Sequence, residues 1–176
     1  MNMTLDGVCD HTVMNADDEL HRHYNDLLSN ADILVYGRVT YQLMESYWPG
    51  VVQRPTGNKP TDEFAVLIDN LTKVVFSHTL QQLEWKNSVL AKRSIKEEIL
   101  ALKQQPGKDI LVGSPSMIDA TLDFRLVDEF QICIQPIIQG KGMILLKNIH
   151  ERINLKLLKT KTFRSGGIVL YYAPQD

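Results

Sequence analysis

The 176-residue sequence predicts an α/β fold in three layers, α/β/α, with a mixed, mostly parallel sheet finished by antiparallel C-terminal strands. Short, fully apolar runs that end in Gly or Ser recur along the first two-thirds, as strands covered on both faces require. Amphipathic stretches of helical length separate them. The last third changes to alternating apolar and polar residues, the pattern of strands with one packed face.

Asp17 and Asp18 can cap and charge a helix to about Leu28, on which Leu20, Tyr24, Leu27 and Leu28 recur at helical spacing. Ile33 to Tyr36 is a short apolar strand closed by Gly37. Arg38 to about Tyr47 reads as a second helix, with Tyr41 and Met44 inward. Residues 48–60, rich in Pro and Gly, read as a surface loop. A helix from Pro60 or Thr61 to about Leu71 carries Phe64, Leu67, Ile68 and Leu71 on one stripe. Lys73 to Phe76 is a second strand, ending at Ser77, and Ser88 to Ala91 another. Ser94-Ile95-Lys96-Glu97 fits a capping box, opening a helix to Pro106-Gly107. Asp109 to Val112 is a strand ending at Gly113, followed by a helix over Ser116 to Phe124 with Met117, Ala120 and Thr121 packed. Glu129 to Ile138 alternates, with Phe130, Ile132, Ile134 and Pro136 on one face. Asn154 to Phe163 alternates too, Arg164 to Gly167 turns, and Ile168 to Ala173 is the final strand.

Composition narrows the function classes. Hydrophobic residues make up 44% and charged residues 23%, a balance that permits a packed core and argues against disorder. The length fits one domain, taken as residues 1–176. A formal net charge of −2 offers no basic field for nucleic acid, and no polybasic stretch faces a membrane surface. Cys9 and Cys133 stand in no metal or redox spacing, so a disulfide framework is not expected and a reducing cytoplasm is the easier setting. No apolar run approaches the ~20 residues of a membrane helix, and Met1 to Asp6 lack the regions of a secretory signal.

In open α/β sheets, ligands bind beyond the carboxyl ends of the strands. Three strands here end in residues suited to anions: Gly37-Arg38-Val39-Thr40, Ser77-His78-Thr79 and Gly113-Ser114. Gly37 lets a backbone come close, Arg38 can fork onto a phosphate, and Thr40 can donate a hydroxyl. Gly113-Ser114 opens a helix whose N–H groups face outward. Singly, each is also an ordinary turn or helix start; together, at three strand ends, they describe one phosphate-bearing ligand crossing the sheet edge. Neither Gly-x-Gly-x-x-Gly nor a P-loop occurs, so a standard Rossmann or nucleoside-triphosphatase site is not expected. Lys92 and Arg93 follow another strand end, as surface cations or as added charge for the same ligand.

These three segments resemble the cofactor segments of dihydrofolate reductases, in the same order and between the same elements. The closer resemblance is to the RibD C-terminal domain family of riboflavin-pathway reductases. Met3-Thr4-Leu5-Asp6-Gly7 resembles its first-strand signature, and Leu126 to Phe130 the opening of its antiparallel strand. Gln135-Pro136-Ile137-Ile138-Gln139-Gly140-Lys141-Gly142 resembles its P-x-x-x-G-x-G turn, and Thr162 to Gly166 its closing hairpin. The resemblance covers nearly the whole chain and places the first strand at the centre of the sheet. It departs at the third segment, where Ser114-Pro115 replaces the Gly pair of dihydrofolate reductases and Pro115 removes one backbone donor.

The resemblance implies that Arg38 meets the adenosine 2′-phosphate, favouring NADPH over NADH. Thr40 would sit near the pyrophosphate, Ser77 and His78 would flank the adenosine end, and Gly113 and Ser114 would offer backbone N–H groups to the pyrophosphate. The implied activity is NADPH-dependent reduction of a pteridine or pyrimidine-like substrate, such as dihydrofolate or 5-amino-6-(5-phosphoribosylamino)uracil. The alternative is an NADP(H)-binding module on the same fold without catalysis. A carboxyl in an apolar pocket has a raised pKa and supplies or orients a proton. The candidates are Asp6, at the end of the first strand, and Asp17 or Asp18, at the first helix. Asp6-Gly7 is also a plain turn, and Asp17 or Asp18 a plain cap. Met3, Met14 and Tyr47 are candidate lining residues. His21 and His23, two apart on a helix, point roughly 200° apart, so no metal is expected there. The alternating strands from Glu129 and Asn154 favour a homodimer.

Overall fold

A computed structural model describes residues 1–9 and 17–175. In chain order the elements are β1 (Asn2–Thr4), α1 (Asp18–Ser29), β2 (Ala31–Gly37), α2 (Arg38–Glu45), α3 (Trp48–Gln53), α4 (Lys59–Asn70), β3 (Thr72–Phe76), β4 (Ser88–Leu90), α5 (Ile95–Lys103), β5 (Asp109–Val112), α6 (Pro115–Asp123), β6 (Phe130–Gln135), β7 (Asn154–Thr162) and β8 (Ile168–Gln175). The α/β class is as the sequence predicts. Strands β4-β3-β2-β5 form an all-parallel sheet, and β1-β6-β8-β7 a mixed one in which β8 runs antiparallel to both neighbours. The first strand is not enclosed by ladders: among the described residues β1 pairs as a strand with β6 alone. Met3 of β1 and Val112 of β5 nevertheless pack on the same cluster, around Ile118 and Leu122 of α6.

The layers follow from strand alternation. Leu34, Tyr36 and Val75 point to one face, where Leu28, Tyr41, Ile68 and Trp85 cover them. Val35 and Val74 point to the other, under Ile99, Leu102 and Met117. Val35 and Val75 are fully buried, each contributing roughly 1.5–3 kcal/mol of apolar burial. The capping box is present: Ser94 Oγ accepts from Glu97 N, and Glu97 Oε2 from Ser94 N at 3.1 Å. The loop expected over residues 48–60 contains α3. Pro49 is tolerated at a helix's first turn, and Trp48 is held against Phe64, ring centres 4.5 Å apart.

Lys73, the second residue of β3, has no exposed surface. Its Nζ donates to the carbonyls of Ile68 and Asp69, each at 3.0 Å, and Leu71 at 2.9 Å, closing the end of α4. It lies 4.3 Å from the Trp85 ring centre, and Trp85 Nε1 in turn donates to Asp69 Oδ1 at 2.7 Å. Burial pushes the ammonium down to about 8.

His23 on α1 is 7% exposed, among the rings of Tyr24, Phe163 and Tyr171. Burial, reinforced by Lys161, pushes its pKa down to about 4, against 6.5 for a free imidazole. Between those values the unfolded chain binds the extra proton, so stability is full above pH 6.5 and falls as pH drops towards 4. Acidification from pH 8 to 5 is expected to remove about 2 kcal/mol through this residue. Urea unfolding of wild type and His23→Phe checks this: the variant's acid slope should be shallower, and parallel slopes would refute the assignment.

Candidate functional site

Parallel pairing sets the carboxyl ends of β4, β3, β2 and β5 along one edge. Gly37 stands level with Phe76, and Val35 with Val112, so Ser77 and Gly113 emerge on either side of β2. Ala91 N extends the β4 ladder to Val75 O at 2.9 Å, and Lys92 and Arg93 leave from the same edge. All three segments singled out in the sequence are therefore neighbours.

Gly37 caps α2 and Ser114 caps α6, and neither helix has a side-chain cap. The first-turn N–H groups of both helices lack that acceptor and carry the positive ends of the helix dipoles. The two termini are joined by Thr40 Oγ1, which donates to Ser114 Oγ at 3.0 Å. Ser116 adds a third hydroxyl, its Oγ 3.4 Å from that of Ser114. A Cβ at Gly37 would lie 2.8 Å from Ser116 Oγ and 3.2 Å from Ser114 Oγ. The missing side chain is thus the condition for this close approach. Ser116 was not singled out as a ligand: a Ser in a helix's first turn is a common local feature, and only the fold brings it to Gly37.

Arg38 is exposed, and its Nη1 donates to Gln42 Oε1 at 3.0 Å, a neutral partner one turn along α2. Ser77 Oγ accepts from Thr79 N at 3.1 Å and Leu80 N at 2.9 Å, so its hydroxyl holds the turn that presents exposed His78. Lys92 and Arg93 are both exposed, the latter 3.8 Å from Glu98.

The carboxylate candidates do not share one environment. Asp6 accepts from Thr4 Oγ1 at 2.5 Å, Gln139 N at 3.1 Å and Gly140 N at 2.7 Å. The Thr4 bond, with the two backbone N–H groups, holds its pKa down at about 2. The raised carboxyl expected here is corrected: three donors stabilise the anion, so Asp6 carries no proton near neutrality. Asp17 Oδ1 accepts from Leu20 N at 2.8 Å, capping α1, and Asp18 Oδ1 accepts from Asn58 Nδ2 at 3.1 Å. Met3 packs in the cluster beneath α6, and Tyr47 is 53% exposed beside Trp48. Met14 and His11 lie outside the described residues. Among the described residues, no group of three or more His, Cys, Asp or Glu side chains could hold a metal, and no helix is long and apolar enough to cross a membrane.

Two cavities lie away from the strand tips. One of about 420 Å³ is lined by Glu45, Pro49, Asp69, Trp85 and Lys86. Another of about 330 Å³ is lined by Asp32, Thr72, Leu102 and Lys108 near the amino ends of the parallel strands.

Comparison with known proteins agrees with this architecture. The model of the RibD C-terminal domain family matches residues 1–169. The uncharacterized protein YyaP of Bacillus subtilis (strain 168) is 35% identical over 150 residues, 85% of this chain and 77% of that protein. A putative riboflavin biosynthesis protein from Shewanella sp. PV-4 superposes with a TM-score of 0.76 at 19% identity, covering 100% of this chain and 97% of that one. Dihydrofolate reductase from Enterococcus faecalis, solved as a complex with NADP(H), superposes with a TM-score of 0.64 at 15% identity, covering 99% of this chain and 94% of that one. At these identities the two structures attest the fold.

Proposed function

Because the chain belongs to the RibD C-terminal domain family, a family of reductase type, we propose that it is an NADPH-dependent reductase acting on a pteridine or pyrimidine-like heterocycle. Dihydrofolate and 5-amino-6-(5-phosphoribosylamino)uracil are the two substrates to test. One observation carries the reading: two helix N-termini without side-chain caps meet across a bare glycine, with an exposed guanidinium beside them.

The residues fit the cofactor on the evidence of that cradle, which a Cβ at Gly37 would fill. The first turns of α2 and α6, with the hydroxyls of Thr40, Ser114 and Ser116, would hold the pyrophosphate. Arg38 would meet the 2′-phosphate, a dianion that suits a planar, always-charged fork. His78 and Lys92 come off the adjoining tips and would border the adenosine end. The nicotinamide, when bound, supplies the hydride. The protein's share is to position two partners and to hold a proton source. Asp6 acts as an ionised strut that ties the end of β1 to the turn after β6, leaving Asp17 and Asp18 as the carboxyls offered for that proton. Because Asp17 already caps α1 and Asp6 is committed to three donors, a cofactor-binding module without turnover is the second reading.

The test is a thermal shift with NADPH against NADH, followed by the loss of NADPH absorbance with each substrate. Stabilisation by NADPH alone, with turnover, supports the enzyme. Stabilisation without turnover favours the module, and no shift with either nucleotide sinks both.

The assembly proposed is a homodimer. β7 is an edge strand, exposed along nearly its whole length, with Leu155, Leu157 and Leu158 40–50% exposed. Lys156, Lys159 and Lys161 along it oppose edge-to-edge pairing. Leu157 stands opposite Tyr172 of β8, extending an apolar face on which a second copy would stack. Sedimentation at micromolar protein is expected to show twice the 20.1 kDa chain mass, and Leu157→Lys to return it to the monomer. A wild-type monomer would remove the idea.

A further inference from the structure

The mixed half of the molecule carries a buried polar side chain that the fold leaves unsatisfied. Gln135 ends β6 opposite Thr4, the last residue of β1, and is 1% exposed. Its Nε2 donates to Asn2 Oδ1 at 3.3 Å and to Cys133 Sγ at 3.4 Å. The bond to Asn2 is long for an N–H···O contact, and sulfur is a weak acceptor. Its Oε1 is buried with no hydrogen-bond partner. A buried carboxamide oxygen without a donor destabilises the protein that keeps it. An apolar residue would fit the same face of β6, where Cys133 packs with Leu20, Phe163 and Val169.

Its place in the fold gives this orphan a use. α6 leaves the Gly113 tip and packs against Phe130 and Val112, so β6 runs back towards the end where the nucleotide segments lie. Gln135 is thus at the tip of β6, beside the Thr4–Asp6 hydrogen bond. Across from it, Gly167 has no side chain; a Cβ there would lie 3.7 Å from Gln135 Oε1. The carboxamide is held by two tethers only, one long and one to a weak acceptor, and both fall on Nε2, leaving Oε1 uncommitted.

We propose that Gln135 is a specificity-determining residue that accepts, at Oε1, a hydrogen bond from a ring N–H or exocyclic amine of the heterocyclic substrate. This rests on the reductase reading above and deepens it. The site then favours heterocycles with an unsubstituted lactam or amidine edge over N-alkylated ones of the same shape, because only the former satisfy the orphaned oxygen.

The experiment uses the NADPH-loaded protein and two probes, lumazine and 1,3-dimethyllumazine, which share a ring system but differ in their ring N–H donors. Binding is followed by calorimetry in wild type, Gln135→Met and Gln135→Leu. Wild type is expected to bind lumazine about tenfold more tightly than the dimethyl form, and both variants to bring the two within twofold. NADPH affinity should not change, and neither unliganded variant should melt below wild type, since each removes an unsatisfied acceptor. Equal binding of the probes by wild type, a preference that survives in a folded variant, or no binding of either probe would overturn the role of Gln135. Failure of wild type to bind NADPH would instead overturn the reductase reading.

Discussion

Replacing Arg38 by Ala is expected to lower NADPH affinity by about 1.5–3 kcal/mol, roughly 10- to 150-fold, and to leave NADH affinity within about twofold. The magnitude is that of hydrogen bonds to a charged group, and the selectivity arises because the two cofactors differ only in the 2′-phosphate. The side chain is free to do this. It is exposed, and among the described residues its guanidinium bonds to Gln42 of its own helix, a neutral partner given up cheaply. Arg38→Lys should fall between wild type and Ala, because an ammonium keeps the charge and loses the fork. Calorimetric titration with both nucleotides at two salt concentrations checks the claim, the wild-type advantage for NADPH shrinking as salt rises. Equal losses for NADPH and NADH in Arg38→Ala would mean that Arg38 serves the helix and not the phosphate.

Gly142→Ala is expected to cost about 3 kcal/mol or more, combining a rare backbone conformation with overpacking. Gly142 has φ +142°, and a Cβ there would lie 2.5 Å from Val8 Cγ1. Val8 is 1% exposed and cannot retreat into solvent. It is also fixed in place, bridging Ile144 and donating its N–H to Thr4 Oγ1 at 3.0 Å. Gly57→Ala is the control: Gly57 also has a positive φ, +84°, but nothing lies within 4 Å of its Cβ position, so only the backbone term of about 1 kcal/mol applies. Chemical denaturation of both variants separates the terms. Equal losses would show that the contact with Val8 is relieved by a small shift of the turn.

This second result bears on the site because the contact joins two separated motifs. Thr4-Leu5-Asp6-Gly7 and the Gln139-to-Gly142 turn are linked by the Asp6 carboxylate, by Leu5 N donating to Ile137 O at 2.8 Å, and by Leu145 N donating to Gly7 O at 2.9 Å. The spacing of either motif alone does not reveal the other. Asp6 was therefore legible as a residue of consequence, yet its role was not: whether a carboxyl sits in an apolar pocket or among donors depends on what a segment more than 130 residues away brings to it.

The same division runs through the rest of the molecule. The capping box at Ser94 and Glu97, the cap at Asp17 and the apolar runs of β2, β3 and β5 are contained within a few residues, and they were readable. Lys73 was counted as part of an apolar strand, but nothing local shows that its ammonium closes the preceding helix. α3 was hidden because Pro49 and Gly50 read as breakers, and the Trp48–Phe64 contact that secures the helix is a tertiary one. Gln135 read as part of an alternating strand and of the turn motif that follows it, and nothing local shows that its side-chain oxygen is buried without a donor.

By itself, the sequence determined, α3 apart, which segments become strands and helices, and which strand ends carry Gly, Arg, Ser and Thr. Periodicity, capping and turn chemistry act between residues a few positions apart. Only the tertiary structure decided that Thr40, Ser114 and Ser116 crowd around Gly37, that Asp6 is held ionised, and that Gln135 is buried without a donor. Hydrogen bonding and desolvation depend on distance in space, which sequence separation does not encode.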